Sequence, residues 1–213
     1  PLMRAPRLRE AVAFDRSHKL ITLIDNTFAS PVNCTPLSHG IDLVFHSATK
    51  YLNGHSDLVA GCVLGRRELM EKVRKALNHF GGTLDPHTCY MLSRGIKTLA
   101  LRVKAANANG MAVARFLSAH PKVARVNYPG LETHPDHAHA KEYLSGFGGM
   151  LSFRLRGGVE AAERLLGAVR LPAVAPSLGG VETLITRPAT TSHAGMSRED
   201  RERLGITDDL IRL

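Results

Sequence analysis

The residue best suited to covalent chemistry in this sequence is Lys50, which lies among small hydroxyl residues in the run Ser47-Ala48-Thr49-Lys50. The stretch just before it, residues 42–46, has three apolar residues at its centre and is typical of a short buried strand. Ligands of open α/β sheets bind at the carboxyl ends of strands. A lysine held there partly out of water is a usable amine nucleophile, and Ser47 and Thr49 offer hydroxyls to a phosphate. Taken alone, such a motif more often marks a solvated lysine after a strand.

A carboxylate follows a second apolar run of the same kind. Residues 20–24 read Leu-Ile-Thr-Leu-Ile, which is typical of a buried parallel strand, and Asp25 comes directly after them. Two neighbouring parallel strands end at the same edge of a sheet, so we expect Asp25 and Lys50 to lie at one edge. The alternative is that Asp25 is a turn residue or a helix cap, which is the commoner role of an aspartate after a strand.

The rest of the pattern indicates an α/β chain. Residues 58–64 predict a third strand, and the short connection from residues 42–46 leaves no room for a crossover helix, so this pair is expected to be antiparallel. Amphipathic helices are predicted over residues 67–80, from Asp85-Pro86 to about Arg94, and over the long stretch 97–119. Further strands and helices alternate, among them a helix near residues 136–145, as far as a last strand at residues 210–213.

Several motifs, read together, resemble the Cys/Met-metabolism family of pyridoxal-phosphate enzymes, which includes cystathionine γ-lyases, cystathionine γ-synthases and methionine γ-lyases. They are D-N-T-F-A-S-P from Asp25, H-S-A-T-K-Y-L-N-G-H-S-D from His46, and G-G-T-L-D-P, S-R-G-I-K-T-L, Y-P-G-L, S-L-G-G-V-E-T-L and L-G-I-T-D-D-L-I-R-L. The resemblance covers essentially the whole chain. It implies the aspartate-aminotransferase-like fold (fold type I). Residues 1–96 would form part of the cofactor-binding large domain, and residues 97–213 a connecting helix and a small C-terminal α/β domain.

The resemblance also implies a cofactor and the residues that bind it. Lys50 would carry pyridoxal 5′-phosphate covalently and act as the catalytic base, and Asp25 would pair with the protonated pyridine nitrogen. Ser47 and Thr49 would bind the phosphate.

The substrate implied by the resemblance is a sulfur-containing amino acid that undergoes γ-elimination or γ-replacement. Arg212 in L-I-R-L would bind its carboxylate with help from Ser177. Pro176 stands where some γ-lyases carry an acidic residue, which disfavours a strict cystathionine γ-lyase and leaves γ-synthase and methionine γ-lyase as alternatives. Family members are about twice as long as this chain, and the resemblance implies a homo-oligomer (a dimer of dimers). We expect this protein in the cytoplasm. A non-catalytic fragment that acts as an interaction module is the alternative from another class.

Composition disfavours several other functions. The formal net charge is +9, but the basic residues are scattered and aromatic residues make up only 5%, so we expect no nucleic-acid partner. No apolar run approaches eighteen residues, so no membrane partner is expected. Three widely spaced cysteines favour a reducing compartment over a disulfide framework. The pair His134-x-x-His137 is interpreted as the solvated start of a helix, and no metal is expected.

Overall fold

A computed structural model describes all 213 residues. The first half contains a three-stranded sheet, β1 (Leu23–Asp25), β2 (Leu43–Ser47) and β3 (Gly61–Gly65), in that order. Strand β1 pairs with β2 in parallel, whereas β2 and β3 are antiparallel, as predicted from the short connection between them. The carboxyl ends of β1 and β2 therefore lie at one edge of this sheet.

Most of the remaining regular secondary structure is helical. They are α1 (Leu8–His18), α2 (Ser30–Asn33), α3 (Arg67–Phe80), α4 (Pro86–Ile96), α5 (Leu99–Ala119), α6 (His137–Ala140), α7 (Gly158–Ala168) and α8 (Arg198–Arg203), with two short 3₁₀ turns, Pro36–His39 and Pro188–Thr190. The Asp85 side chain caps α4 by accepting from the backbone N–H groups of His87 and Thr88, at 2.9 and 3.0 Å.

The second half contains two small sheets. One has the order β4 (Val123–Asn127), β5 (Ser152–Leu155) and β8 (Leu210–Arg212), with antiparallel neighbours. The other pairs β6 (Ala173–Val174) with β7 (Leu184–Ile185) in parallel. Strand β8 thus brings the end of the chain beside β5.

The long helix α5 contributes to two separate cores. Near its start, Leu99 and Val103 pack with Tyr51 and Leu52, which follow Lys50. Near its end, Ala114 packs in the core of the second half. That core surrounds the β4–β5–β8 sheet with eight buried residues, Ala114, Val123, Tyr128, Leu151, Phe153, Ala162, Ile185 and Ile211. Burial at both ends of α5 therefore fixes the Lys50 segment relative to the sheet that contains Arg212.

Strand β1 and helix α6 are shorter than the sequence predicts, and both differences have local causes. Strand β1 begins at Leu23 rather than at residue 20, because Thr22 uses its N–H and hydroxyl on the Asp42 carboxylate instead of a strand neighbour. The helix predicted over residues 136–145 is observed only as α6, His137–Ala140. The helix does not continue to residue 145, because the Ser145 N–H donates to the Asn33 carbonyl at 2.9 Å instead of to a carbonyl within the helix.

Candidate active site

Lys50 lies in a tight hydrogen-bonded turn that follows β2. Within this turn the Lys50 N–H donates to the Ser47 carbonyl (3.1 Å), the Asn53 N–H to the Ala48 carbonyl (3.0 Å) and the Gly54 N–H to the Lys50 carbonyl (2.8 Å). Ala48, Tyr51, Leu52 and Asn53 are all buried, while Lys50 itself is partly exposed. The turn is thus anchored by its apolar neighbours and presents the amine on its accessible side. We call residues 47–54 the lysine turn.

The structure joins Lys50 to two residues from the far end of the chain. The Lys50 ammonium donates to the Ser177 hydroxyl at 2.8 Å. The Arg212 guanidinium donates to the Ser177 carbonyl at 2.7 Å. An amine, a hydroxyl and a guanidinium therefore meet at one place. This is the arrangement that an amino-acid substrate needs, with a fork for its carboxylate beside an amine.

Strand β8 directs Arg212 toward this place. Its neighbours Ile211 and Leu213 belong to the apolar core of the second half, and Ile211 is fully buried. Alternation along the strand therefore turns Arg212 to the opposite face. Burial lowers the pKa of the Arg212 guanidinium from its ordinary value, although an arginine stays charged at any physiological pH.

The loop that carries Ser177 is strained and packs closely on the lysine turn. Ser177 adopts φ +97°, a left-handed conformation that side chains rarely occupy. Gly179 has φ +79°, and a Cβ placed on it would lie 2.6 Å from the Tyr51 backbone nitrogen. The absence of a side chain at Gly179 lets the loop touch the backbone of the lysine turn.

Asp25 ends β1 at the same sheet edge, and Thr27 orders that edge. The Asp25 carboxylate accepts from the Thr27 N–H at 2.8 Å, and the Thr27 hydroxyl accepts from the Ser47 N–H at 2.8 Å. Thr27 thereby ties the end of β1 to the end of β2. Sequence reasoning missed this residue, although its place two positions after a strand-ending aspartate is a usual signal for a turn of this type.

His46 is buried on the other face of β2. Burial lowers the pKa of its imidazole, while the nearby Asp25 carboxylate opposes that shift. The ring is therefore neutral at pH 7. Its neighbour Ser47 is less buried, in keeping with the alternation expected along a strand.

The hydroxyl of Thr49 is engaged with the backbone of Ala60. It accepts from the Ala60 N–H at 3.0 Å and contacts the Ala60 carbonyl at 3.3 Å. The second distance is long for a bond from a hydroxyl, so the hydroxyl proton can turn to a stronger acceptor such as a phosphate oxygen.

A cavity of about 300 Å³ adjoins this cluster. Its walls include Tyr51, Arg102, Ser177 and Arg212, so it opens onto both the lysine turn and β8. Arg102, on α5, also donates to the carbonyls of the lysine turn. Sequence reasoning missed Arg102, and no local sequence signal marks it.

Comparison with known proteins identifies the group to which the chain belongs. The family model for Cys/Met metabolism PLP-dependent enzymes matches residues 1–213. The chain is a member of this family. The resemblance seen in the sequence motifs is therefore confirmed, and so is the dependence of the family on pyridoxal phosphate.

Relatives within this family are identical to this chain at close to half of the aligned positions. Cystathionine γ-synthase 1 of Arabidopsis thaliana is 45% identical over 92% of this chain and 35% of its own length. L-methionine γ-lyase of Fusobacterium nucleatum is 46% identical over 91% of this chain and 49% of its own length. The chain therefore spans about a third to a half of the length of these relatives.

The fold is that of solved members of the family. The structure of cystathionine γ-synthase from Xanthomonas oryzae pv. oryzae in complex with aminoacrylate and cysteine superposes with a TM-score of 0.96. It is 43% identical, and the match covers all of this chain and 55% of that one. The α/β fold of type I is therefore confirmed.

The residues at the sheet edge fit pyridoxal phosphate by their chemistry. A cofactor of this kind needs an amine, an acid for its ring nitrogen and donors for its phosphate. Lys50, Asp25, Ser47 and Thr49 supply these groups within two adjacent strand ends. In contrast, no cluster of three histidine, cysteine or acidic side chains is placed to hold a metal ion. Separately, no helix is both long and apolar enough to cross a membrane.

Proposed function

We propose that the natural-length protein uses pyridoxal phosphate to eliminate or replace the γ-substituent of a sulfur-containing amino acid. The observation that supports this function most directly is the contact of the Lys50 amine with Ser177, whose carbonyl also binds Arg212. It joins an amine nucleophile to a carboxylate-binding arginine in a chain of this family. Pyridoxal phosphate, when bound, supplies a ring that withdraws electrons from the substrate Cα.

The residues of the chain then have separate tasks. Lys50 holds the cofactor covalently and, once the substrate amine replaces it, its Nζ accepts the proton from Cα. The Asp25 carboxylate keeps a proton on the pyridine nitrogen, because a nearby negative charge favours the protonated ring. Ser47 and Thr49 donate to the phosphate.

Arg212 and Ser177 orient the substrate. The planar guanidinium binds the α-carboxylate with two parallel hydrogen bonds, and the Ser177 hydroxyl assists beside it. The fixed carboxylate places the Cα proton near the Lys50 amine, and such positioning lowers the entropic part of the barrier.

Three reaction types remain candidates, those of cystathionine γ-synthase, cystathionine γ-lyase and methionine γ-lyase. Relatives named for two different reactions are 45% and 46% identical, so overall identity does not separate them. We therefore propose a test with cystathionine, methionine, homocysteine and an acylated homoserine, each with and without an added thiol. Turnover that needs the thiol identifies replacement, whereas release of a keto acid without it identifies elimination.

Two variants test the assignment of function. Lys50→Ala should reduce turnover by at least about a hundredfold and still bind the cofactor without a covalent link, because it removes the amine that accepts the proton. Asp25→Asn should retain the cofactor and lose rate by about a hundredfold or more, because an amide does not hold the ring proton.

A matched control is Lys97→Ala, which removes an exposed lysine at the end of α4 and should leave the rate unchanged. Near wild-type turnover in Lys50→Ala would disprove the role of Lys50. An unchanged rate in Asp25→Asn would show that Asp25 only shapes the turn.

The remaining expectations concern the domain boundaries, the oligomeric state and the localisation of the protein. We propose that residues 1–96 belong to the large domain and residues 97–213 to the connecting helix and small domain, and that the natural-length protein is a cytoplasmic dimer of dimers. Limited proteolysis that cuts first within α5 would contradict the role of that helix as a rigid connector. Sedimentation of the protein as a monomer, or a membrane-bound pool in cell fractions, would contradict the other two proposals.

A further inference from the structure

We propose that Arg102 is a positioning residue that holds the lysine turn in its reactive geometry through the turn's own carbonyl groups. The proposal rests on the function proposed above, since it concerns the residue that presents Lys50. Arg102 lies on α5 and is not among the residues assigned to cofactor or substrate. Its guanidinium contacts the lysine turn at backbone carbonyl groups.

The Arg102 guanidinium donates to two carbonyls that have no partner within the lysine turn. The carbonyls of Ser47, Ala48 and Lys50 are used inside the turn. The next two carbonyls, of Tyr51 and Leu52, accept from the Arg102 guanidinium at 2.7 and 3.4 Å. As at the end of a helix, such carbonyls have no partner within the turn, and a cation there is favourable.

The same guanidinium joins the turn to the junction between α4 and α5. It donates to the Gly95 carbonyl at 2.8 Å and, through Nε, to the Thr98 hydroxyl at 3.0 Å. A single side chain thus binds two separate stretches of backbone and one side-chain hydroxyl. The planar fork of arginine suits this task, because its donors point in several fixed directions, whereas lysine offers a single ammonium.

Two glycines allow this close approach. A Cβ placed on Gly54, which has φ +79°, would lie 2.0 Å from the Arg102 Nη1 atom. A Cβ placed on Gly95 would lie 2.4 Å from the Asn53 carbonyl oxygen. Both the guanidinium and the α4–α5 junction therefore pack against the turn at points where only glycine fits.

The partners of Arg102 are all neutral oxygens. Burial lowers the pKa of its guanidinium, with no carboxylate contributing in the opposite direction. The charge is nevertheless retained, because arginine does not lose its proton in proteins. A partly buried cation whose partners are backbone carbonyls and one hydroxyl stabilises one arrangement of those carbonyls, so its loss frees the end of the turn.

Hydrogen exchange tests the proposal without reference to turnover. The natural-length, cofactor-free protein is compared with Arg102→Met and Arg102→Lys by mass spectrometry of peptides that contain Asn53 and Gly54. Their amides close the turn, so we expect Arg102→Met to exchange them about ten to a hundred times faster, as loss of a charged donor implies. Arg102→Lys keeps the charge without the fork and should lie in between.

Controls separate local positioning from general loss of stability. Arg115→Met removes an exposed arginine from the same helix and should change neither segment. Peptides from α7 should exchange at the wild-type rate in every variant. Wild-type exchange at Asn53 and Gly54 in Arg102→Met, or an equal rise in α7, overturns the proposal. If Arg102→Met does not fold, Arg102→Lys is judged by the same two criteria.

Kinetics supply a second readout. Arg212 and Ser177 remain in place in Arg102→Lys. This variant should therefore lower kcat about threefold or more and leave KM unchanged. A rise in KM with kcat unchanged would assign Arg102 to substrate binding and overturn the positioning role. The proposed function fails separately, if reduction with borohydride attaches the cofactor to a lysine other than Lys50, whatever the exchange result.

Discussion

At the scale of residues, three side chains from distant parts of the sequence meet in the structure. Lys50, Ser177 and Arg212 are joined by two hydrogen bonds through Ser177. The residue types were predictable from the motifs, whereas their meeting depends on the packing of the second half against the lysine turn. The left-handed conformation of Ser177 had no sequence signal, because serine rarely adopts it.

The role of Arg212 gives a prediction at this scale. Arg212→Ala should lower kcat/KM for an amino-acid substrate about ten- to a hundredfold, since a charge-assisted hydrogen bond to a carboxylate is lost. Arg212→Lys keeps the charge but loses the fork, so it should also be impaired, though less. The measurement is steady-state kinetics of both variants in the natural-length protein.

The control for this prediction is Arg170→Ala, which removes an exposed arginine outside the candidate site. It should keep the wild-type kcat/KM. The absorbance of the bound cofactor should be unaltered in all three variants, because Arg212 is not among its ligands. A wild-type kcat/KM in Arg212→Ala would place the carboxylate site elsewhere.

At the scale of elements, the contact between the Ser177 loop and the lysine turn depends on Gly179. Gly179→Ala adds a Cβ that would lie 2.6 Å from the Tyr51 nitrogen, at a residue with φ +79°. We expect the free energy of unfolding to fall by about 1–3 kcal/mol, and catalytic efficiency to fall with it as Ser177 moves away from Lys50. Chemical denaturation and steady-state kinetics measure the two effects.

Gly167→Ala is the matched control for this substitution. Gly167 lies in α7, and a Cβ there would meet no atom within 4 Å. Alanine favours a helix, so this variant should be more stable by about 0.5–1 kcal/mol and should keep full activity. Equal stability of Gly179→Ala and wild type would show that the loop does not need the close approach.

The loop between β4 and α6 gives a prediction on pH. His134 is buried, its Nδ1 accepts from the Asp136 N–H at 3.2 Å, and its Nε2 contacts the Leu2 carbonyl at 3.2 Å. Burial lowers the pKa of this imidazole below its ordinary value of about 6.5, despite opposition from the Leu2 carbonyl and the Asp136 carboxylate. Protonation would also remove the acceptor used by the Asp136 N–H.

The sign of the pH effect follows from linkage. The unfolded chain takes up the proton at a higher pH than the folded one, so stability falls as pH drops through about 6.5. Denaturation curves between about pH 7 and 5 should show this loss. It should be smaller in His134→Gln than in the wild type. The exposed His79→Gln should lose as much stability as the wild type, and the same loss in His134→Gln would contradict the assignment.

At the scale of the whole molecule, much of the fold was predictable. The period of the apolar residues gave α3 and the long α5, and the short connection gave the antiparallel pairing of β2 with β3. The ends of β1 and α6 were not predictable. They are set by the Asp42 side chain and by the Asn33 carbonyl, which come from other parts of the chain.

Less of the candidate site than of the fold was predictable from the sequence. Sequence motifs give the types of chemical group at the sheet edge, and their roles remain predictions. Arg102 could not be found in this way, because its partners in the lysine turn are backbone carbonyls remote in sequence. A backbone acceptor has no residue type, so it leaves no pattern for a motif to match.

The covalent attachment of the cofactor is the central claim, and one measurement tests it most directly. The natural-length protein is incubated with pyridoxal phosphate, reduced with borohydride and digested, and mass spectrometry then locates the modified lysine. The account predicts a single adduct on Lys50, with the same result in the Lys97→Ala control. An adduct on any other lysine, or no adduct at all, would contradict it.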